Sequence, residues 1–476
     1  MGGNNGTDGE KMNSIASRKD MTKVTFKLAL PSIMEMLMQT LLGVADTAMV
    51  GTLGGVAIAA VGLSDNPLMV MMAFFAAISV GTTALVARFI GARNYKDAED
   101  TIKQSLFISL FASVAFTAVM LVLSERITLW MGAEPDVLPY ATQYLSIVLI
   151  GLPGMIITMI MSGALRGAGD TKTPMIVNGF SNVVNIIGNF FLIFPTRYVH
   201  FELPGLVEGF TVKILGAGLG VGGAAASTSF SRLLAGALIL YVIFRKNGKY
   251  GIRLNRKTGL NKTIIIRILR IGLPAAAEQM LMRLAQLSFF RIIATMGTVM
   301  IAAHKITMTA ESISFMPGWG FALAATTLVG QYLGGEDPDK AKLGGFTAAR
   351  MAIVVMTVFG VLFFFFPRYF ILIFTRDEEI IRYASTCLRI IAFAQPFLAA
   401  TMVFAGALRG AGDTKTVLWV TAVGTWVIRV GGGYILAITL GYGLAGAWAA
   451  MVADFTLRGI VFFYIFNKGK WKHIKV

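Results

Sequence analysis

The sequence predicts an all-α integral membrane protein with twelve transmembrane helices. These form two parallel six-helix lobes, related by a pseudo-two-fold axis along the membrane normal. Three observations predict this fold class. The chain is far more apolar than a soluble protein, its basic residues gather in every second loop, and its two halves match at one fixed offset.

Apolar composition is the first observation. Hydrophobic residues make up 56% of the 476 residues and charged residues only 14%. Apolar stretches such as Gln104–Leu123 and Ala141–Met161 recur along the chain. A helix of about 20 residues, rising about 1.5 Å per residue, crosses the roughly 30 Å hydrocarbon core of a bilayer. Strands of a membrane barrel would instead alternate apolar and polar residues, so the spans are predicted to be helices.

The distribution of charge is the second observation. The net charge of +17 would suit a nucleic-acid-binding protein, but lysines and arginines concentrate in alternate loops, most densely over residues 245–270 and again over 468–475. This positive-inside pattern predicts a multi-pass protein of the cell membrane with both termini in the cytoplasm, and no nucleic-acid partner. The single cysteine, Cys387, excludes a disulfide within the chain.

An internal repeat is the third observation. The phrase GALRGAGDTKT occurs at Gly163–Thr173 and again at Gly406–Thr416, and LPSIMEM at Leu30–Met36 aligns with LPAAAEQ at Leu273–Gln279 at the same offset. Each half holds about six spans. Because six is even, both halves have the same orientation, as in parallel transporter repeats. Thr196–Leu215 lacks a counterpart and predicts an extra outer loop.

These features divide the chain into five segments. The predicted segments are a disordered cytoplasmic tail (1–24), an N-terminal lobe (25–244), a cytoplasmic linker (245–267), a C-terminal lobe (268–467) and a basic cytoplasmic tail (468–476). Within the repeated phrase, Arg166 and Arg409 are expected to remain in cytoplasmic loops as retained positive charge. Asp170 and Asp413 are expected to cap the helices that follow.

Three acids within the predicted spans are the main candidates for function, because an ionisable group inside the bilayer usually faces a cavity or a partner. They are Glu35, Asp46 and Glu278. Glu35 and Asp46 are eleven residues apart, about 1100° of helical rotation, and so share one face. A buried carboxylate binds a cation only when deprotonated and binds H⁺ by neutralising itself. Asp46 and Glu278 are therefore predicted to couple ions and bind cargo, with Glu35 assisting cargo binding.

Each acid also has a structural interpretation. Glu278 has no basic residue three or four positions away on its own helix, but it could pair with a neighbouring helix. Asp46 could be a helix-end residue near the outer surface. Glu35 lies nearer the cytoplasmic edge and could reach water.

Span 5 carries Asn182, Asn185 and Asn189 on one helical face. Amide oxygens are hard ligands suited to Na⁺, and amides can also hydrogen-bond a protonated carboxyl group. We therefore predict a Na⁺ site formed by Asp46, Asn185 and Asn189. The alternative is that these asparagines only join membrane helices.

Other buried charges are expected to be structural. Asp454 and Arg458 are four residues apart in span 12 and predict an ion pair within one helix. Arg429 is predicted to be an isolated structural residue. The chain has no phosphate-cradling GxxxxGKS or GxxxxGKT phrase, so its energy source is expected to be an ion gradient and not a nucleotide.

The chain resembles the multidrug and toxic compound extrusion (MATE) transporters over residues 25–470. The resemblance is carried by GALRGAGDT after spans 4 and 10, VADTAMVGTLG at Val44–Gly54 and IGLPAAAEQ at Ile271–Gln279. It implies two six-helix lobes that open alternately to either side of the membrane. It also implies export of small organic cations in exchange for Na⁺ or H⁺, with no further cofactor.

The resemblance leaves the coupling ion open. Some family members carry an aspartate at the position of Asn189, and others carry one in span 10, where this chain offers only Gln395 and Thr401 as polar side chains near the start of the helix. A site built wholly from carboxylates is therefore not expected in either lobe.

Two functional interpretations follow. The first is a secondary active exporter of organic cations, not an enzyme, working as a monomer in contact with membrane lipids. The alternative is a flippase for lipid-linked precursors, which would place arginine or lysine in the cleft to hold an anionic headgroup. The acids favour a cationic cargo, whereas Arg283 and Arg291 in span 7 keep the flippase open.

Overall fold

The computed structural model describes residues 18–201, 210–245 and 259–474. These residues are helical apart from short turns and one β-hairpin. The predicted tail over 1–17, the linker over 246–258 and residues 475–476 lie outside the described residues.

The N-terminal lobe contains seven helices and the hairpin. Its elements are α1 (Arg18–Gly51), α2 (Gly55–Gly91), α3 (Tyr95–Trp130), α4 (Leu138–Ile150), α5 (Leu152–Gly167), α6 (Lys172–Leu192), β1 (Pro195–Phe201), β2 (Phe210–Ala217) and α7 (Gly220–Arg245). The hairpin occupies the predicted extra loop, where β1 pairs with β2 in antiparallel register.

The C-terminal lobe repeats this order without the hairpin. Its elements are α8 (Lys262–Ala294), α9 (Thr298–Gly334), α10 (Pro338–Phe365), α11 (Pro367–Leu372), α12 (Glu378–Ala392), α13 (Gln395–Gly410), α14 (Thr414–Val423), two π-helical stretches (Gly424–Gly431 and Ile435–Thr439) around α15 (Gly432–Tyr434), α16 (Gly443–Lys468) and a final 3₁₀ turn (Lys470–His473).

In the described part of the chain, eleven candidate spans are long and apolar enough to cross a membrane. They are nine continuous segments and two bent helix pairs, each pair taken as one span. The pairs α4–α5 and α12–α13 bend by 48° and 58°. Both breaks precede prolines that are equivalent in the repeat, Pro153 and Pro396, and a proline removes a backbone donor at the bend. The twelfth helix is α8, which at 33 residues is long enough to span but carries several charges.

The two lobes make close contact on the side where α1 begins and α16 ends, which we call the termini side. A Cβ atom added to Gly91 would lie 1.8 Å from the Gln331 carbonyl oxygen, and one added to Gly334 would lie 1.9 Å from the Arg88 oxygen. These two contacts are equivalent under the repeat. Helices α2 and α9 therefore approach so closely that only glycine fits at each crossing.

Two predicted segment boundaries differ from the structure. Helix α1 begins at Arg18, inside the predicted tail, and α8 begins at Lys262, inside the predicted linker. The basic tail is ordered through the 3₁₀ turn, because Trp471 is fully buried and stacks on Phe466 with ring centroids 4.6 Å apart.

Candidate functional site

Two cavities are lined by ionisable side chains, one by the N-terminal lobe and the other mainly by the C-terminal lobe. The N-lobe cavity, of 320 Å³, includes Glu35 and Asp46 in its wall. The C-lobe cavity, of 560 Å³, includes Glu278. Met72 and Met159 contribute to both walls, so the cavities are neighbours near the boundary of the lobes. The three predicted acids are thus divided between two sites.

The N-lobe cavity brings Asp46 together with the asparagine face of α6. Asn189 Nδ2 donates to Asp46 Oδ1 at 2.5 Å. The Asn185 amide is assigned the orientation that satisfies its neighbours, in which its nitrogen donates to Asp46 Oδ1 at 2.9 Å and its oxygen accepts from the Thr228 hydroxyl at 3.2 Å. The predicted cluster of Asp46, Asn185 and Asn189 therefore forms, with two amide donors directed at one carboxylate.

Two amide atoms of the asparagine face lack hydrogen bonds within the described residues. They are Asn189 Oδ1 and Asn182 Nδ2, and both are buried. A buried acceptor without a donor is costly, and a hard cation would satisfy it. The cavity therefore has an available oxygen next to a carboxylate, which is the chemistry that Na⁺ requires.

Glu35 lies deeper in the same cavity and forms an ion pair. Its carboxylate is 3.1 Å from Arg166 Nη1 and accepts from Asn178 Nδ2 at 2.7 Å. Glu35 is only 6% exposed, so the interpretation that it reaches water is wrong. The prediction that Arg166 remains in a loop is also wrong: Arg166 lies in the last turn of α5 and its side chain turns back into the lobe.

Glu278 forms the equivalent ion pair in the C-lobe cavity. Its Oε1 is 2.6 Å from Arg409 Nη2 and accepts from the Thr421 hydroxyl at 3.2 Å. Glu278 is 2% exposed. The predicted loop position of Arg409 is wrong for the same reason as that of Arg166. The structural interpretation of Glu278, pairing with a neighbouring helix, describes the geometry.

A second charge cluster lies in the C-terminal lobe. Asp454 is fully buried and accepts a hydrogen bond from Arg458 Nε at 2.6 Å, which confirms the predicted ion pair. Asp454 also accepts a hydrogen bond from Arg429 Nε at 2.9 Å, so the prediction of an isolated Arg429 is wrong. Arg429 lies in a π-helical stretch, a distortion that is frequent at functional sites.

The wall of the C-lobe cavity combines apolar and charged groups. Eight methionines and four aromatic residues contribute to it, and Phe315 and Trp319 stack with centroids 6.4 Å apart. Glu311, a buried acid of α9 that the sequence analysis missed, also lines it. Arg283 lines this cavity, whereas Arg291 is not part of its wall. Four guanidinium groups therefore contribute to this wall, those of Arg283, Arg409, Arg429 and Arg458.

The comparisons with known proteins match both halves of the chain. The sequence model of the MatE family matches residues 31–191 and 274–435, which begin at the same 243-residue separation as the two phrases. The chain is 34% identical to the probable multidrug resistance protein NorM of Thermotoga maritima, over 95% of this chain and 94% of that protein. It is 29% identical to the transporter YisQ of Bacillus subtilis, over 97% of each.

Solved structures of MATE transporters share the fold. A structure described as the outward-facing conformation of a multidrug resistance MATE transporter superposes with a TM-score of 0.85 at 26% identity, covering 94% of this chain and 95% of that one. A MOP superfamily transporter from Pyrococcus furiosus, described as having a binding pocket of reverse polarity that suggests a different function, gives a TM-score of 0.83 at 26% identity. It covers 94% of this chain and 95% of that one. With two matched repeats and near-complete coverage, this chain belongs to the MATE family of multidrug efflux transporters.

Proposed function

We propose that this protein exports small organic cations in exchange for Na⁺ or H⁺ by alternating access. The observation that carries the proposal is the division between the two cavities. The N-lobe cavity is small and polar and places amides around Asp46. The C-lobe cavity is larger, has methionine and aromatic walls, and holds Glu278. We assign the ion to the first and the cargo to the second.

Asp46 is proposed to bind the coupling ion. In the structure two amide N–H groups donate to the carboxylate. Na⁺ would take the place of these donors and recruit the oxygen of Asn189 after its amide turns. H⁺ would neutralise Asp46, which would then donate to an amide oxygen. Both ions act on the same group, and each charge crossing about 100 mV supplies roughly 2.3 kcal/mol.

The cargo is proposed to bind between the flexible methionine side chains and the aromatic faces. Methionine adapts to differently shaped ligands, and aromatic faces attract organic cations. Glu278 and Glu311 supply carboxyl groups to this wall. A cationic cargo would compete with Arg409 for the Glu278 carboxylate, because these two groups already form an ion pair.

We further propose that the termini side faces the cytoplasm, as the positive-inside pattern predicts. The close contact of the lobes on that side would then seal the cavities from the cytoplasm. The protein is expected to work in the cell membrane as a monomer surrounded by lipid, because both halves of the transport path belong to one chain.

The test is dye transport in proteoliposomes with an imposed Na⁺ or H⁺ gradient, using ethidium. Asp46→Asn is expected to reduce gradient-driven movement to background while ethidium still binds. Glu278→Gln is expected to weaken ethidium binding by roughly tenfold, about 1.4 kcal/mol. Glu378→Gln is the matched control, because Glu378 is a surface acid whose side chain is 70% exposed.

Two results would contradict this assignment. One is full gradient-driven transport by Asp46→Asn. The other is unchanged ethidium affinity in Glu278→Gln with the same fall in transport as in Asp46→Asn, which would show that Glu278 acts in ion coupling and not in cargo binding.

The flippase remains a second candidate, because the four arginines of the C-lobe cavity supply the cleft cations that an anionic headgroup needs. The same vesicles distinguish the two functions. Fluorescent lipids with anionic pyrophosphate headgroups would cross the bilayer if the protein is a flippase, and ethidium would not move under either gradient.

A further inference from the structure

The last turn of α5 faces two parts of the molecule at once. Its Arg166 side chain holds Glu35 in the N-lobe cavity, with Nη1 at 3.3 and 3.1 Å from the two carboxylate oxygens. Its backbone faces the other lobe: the Arg166 oxygen accepts from the Thr327 hydroxyl at 2.9 Å and the Gly167 oxygen accepts from Gln331 Nε2 at 2.7 Å. One helical turn therefore connects the cavity with the contact between the lobes.

The local chemistry explains why this turn can form both sets of contacts. The last carbonyls of a helix lack the usual partner four residues on, so donors from outside can reach these two oxygens. The Arg166 oxygen also accepts from the Gly169 amide at 2.9 Å and uses its second lone pair for Thr327. Thr327 and Gln331 are four residues apart on α9 and so lie on one face. A Cβ atom on Gly167 would lie 2.5 Å from the Thr83 oxygen, which fixes the end of α5 tightly against α2.

The second copy of the phrase lacks the connection between lobes. Arg409 holds Glu278 in the same way. Within the described residues, however, the N-terminal lobe donates no side-chain hydrogen bond to the Arg409 or Gly410 oxygen. The residues equivalent to Thr327 and Gln331 are Ala84, which has no donor, and Arg88, whose guanidinium donates to the Ile474 oxygen.

We propose that Arg166 is a positioning residue that couples occupancy of the N-lobe cavity to opening of the termini side, an inference that rests on the proposed antiport. A cation or proton reaching Glu35 competes with the guanidinium for the carboxylate. When Arg166 leaves Glu35, the end of α5 moves and its hydrogen bonds with Thr327 and Gln331 weaken. The lobes then separate on the termini side. Neutralising Glu278 does not weaken these hydrogen bonds, because the helix end that carries Arg409 does not make them. The coupling of cavity occupancy to lobe opening is therefore confined to the N-terminal lobe.

The experiment measures the lobe separation directly, in detergent and without any ion gradient. Spin labels at Lys96→Cys and Asp339→Cys, two exposed first-turn positions on opposite lobes, report the termini-side distance in a Cys387→Ala background. The ratio of open to closed molecules is measured for Glu35→Gln, Thr327→Val and the double variant. These variants form a double-mutant cycle, the Glu35 cycle. A matched cycle, the Glu278 cycle, uses Glu278→Gln in place of Glu35→Gln.

We expect Glu35→Gln and Thr327→Val each to raise the open-to-closed ratio several-fold. The double variant should fall short of the product of the two effects by about threefold or more, because both act through the same helix end. In the Glu278 cycle the two effects should multiply. Arg166→Lys, which keeps the charge, should remain closer to the parent than Arg166→Gln. If Glu35→Gln does not fold, Arg166→Gln replaces it in the cycle.

Three results would overturn the proposal: an unchanged ratio in Glu35→Gln, multiplying effects in the Glu35 cycle, or an equal shortfall in the Glu278 cycle. Because no gradient is present, this outcome is independent of dye transport. Failure of ion-driven transport with an intact Glu35 cycle would remove the antiport assignment alone. Failure of the cycle with normal transport would remove the role of Arg166 alone.

Discussion

The two lobes contain the same buried ion pair, but the groups around it differ. Glu35 with Arg166 and Asn178 in the N-terminal lobe corresponds to Glu278 with Arg409 and Thr421 in the C-terminal lobe. The remaining polar groups of the N-lobe cavity include the amides around Asp46. Those of the C-lobe cavity include the two arginines that share Asp454.

The difference shows which part of the duplicated lobe is scaffold and which part is specific. The Glu–Arg pair holds the end of the fourth span against the first span in both lobes, so it behaves as shared architecture. At the repeat offset, Asp46 corresponds to Phe289 and Asn189 to Gly432, so the amide cluster exists in one lobe only. We therefore expect substitutions of the Glu–Arg pair to lower the stability of the fold similarly in both lobes. Substitutions of the neighbouring polar groups should instead change the function of one lobe only.

The largest expected effect separates the two buried aspartates. Asp454→Asn leaves two buried guanidinium groups without a full counter-charge, and breaking such a buried arrangement costs about 3–5 kcal/mol. Asp46→Asn retains an oxygen that can accept from Asn189, so we expect a loss of under about 1 kcal/mol. Thermal unfolding in detergent, followed by tryptophan fluorescence, measures both. Similar melting temperatures for the two variants would refute the distinction.

A smaller effect separates the two arginines of the repeated phrase. Arg409→Gln removes the guanidinium that occupies Glu278, so ethidium should bind about tenfold more tightly, a change of about 1.4 kcal/mol. Arg166→Gln should leave ethidium affinity unchanged, because Arg166 lines the other cavity. Fluorescence titration in detergent measures both constants, with Arg409→Lys as the charge-retaining control. Weaker binding in Arg409→Gln would indicate that Arg409 itself contacts the cargo.

Much of the fold could be predicted from the sequence, because its signals are local or repeated. Hydropathy located the spans, and the 243-residue offset of the repeated phrase predicted the two lobes. The asparagine cluster was predictable as well, since Asn185 and Asn189 lie on one face of a single helix and Asp46 is an intramembrane acid in the same half. Spacing along one helix is information that a single sequence contains.

The ion pairs could not be predicted from spacing, because their members lie far apart in the chain. Arg166 follows Glu35 by 131 residues, and Arg409 follows Glu278 by the same number. A signal was present: both acids and both arginines are retained at the repeat offset, and a charge pair duplicated together suggests contact. The contact of Arg429 with Asp454 joins spans 11 and 12 and had no repeated counterpart to reveal it.

The smallest expected effect concerns the aspartates at the end of the repeated phrase, both confirmed as helix caps. Asp170 accepts from the Thr173 amide at 3.0 Å and from its hydroxyl at 2.7 Å, whereas Asp413 accepts from the Thr416 amide at 3.3 Å. Loss of an N-cap typically costs about 1 kcal/mol, so we expect about 1 kcal/mol for Asp170→Ala and about 0.5 kcal/mol for Asp413→Ala. Melting temperatures in detergent check the order.

The Asp170 cap also lies next to the helix end that contacts the other lobe, so its loss tests whether the phrase is only structural. If the cap serves folding alone, Asp170→Ala should lower transport only in proportion to the loss of folded protein. A folded, monodisperse Asp170→Ala protein that no longer moves ethidium would contradict this, and it would extend the coupling segment beyond Gly167. Asp413→Ala is the matched control, because its phrase lacks the hydrogen bonds from Thr327 and Gln331.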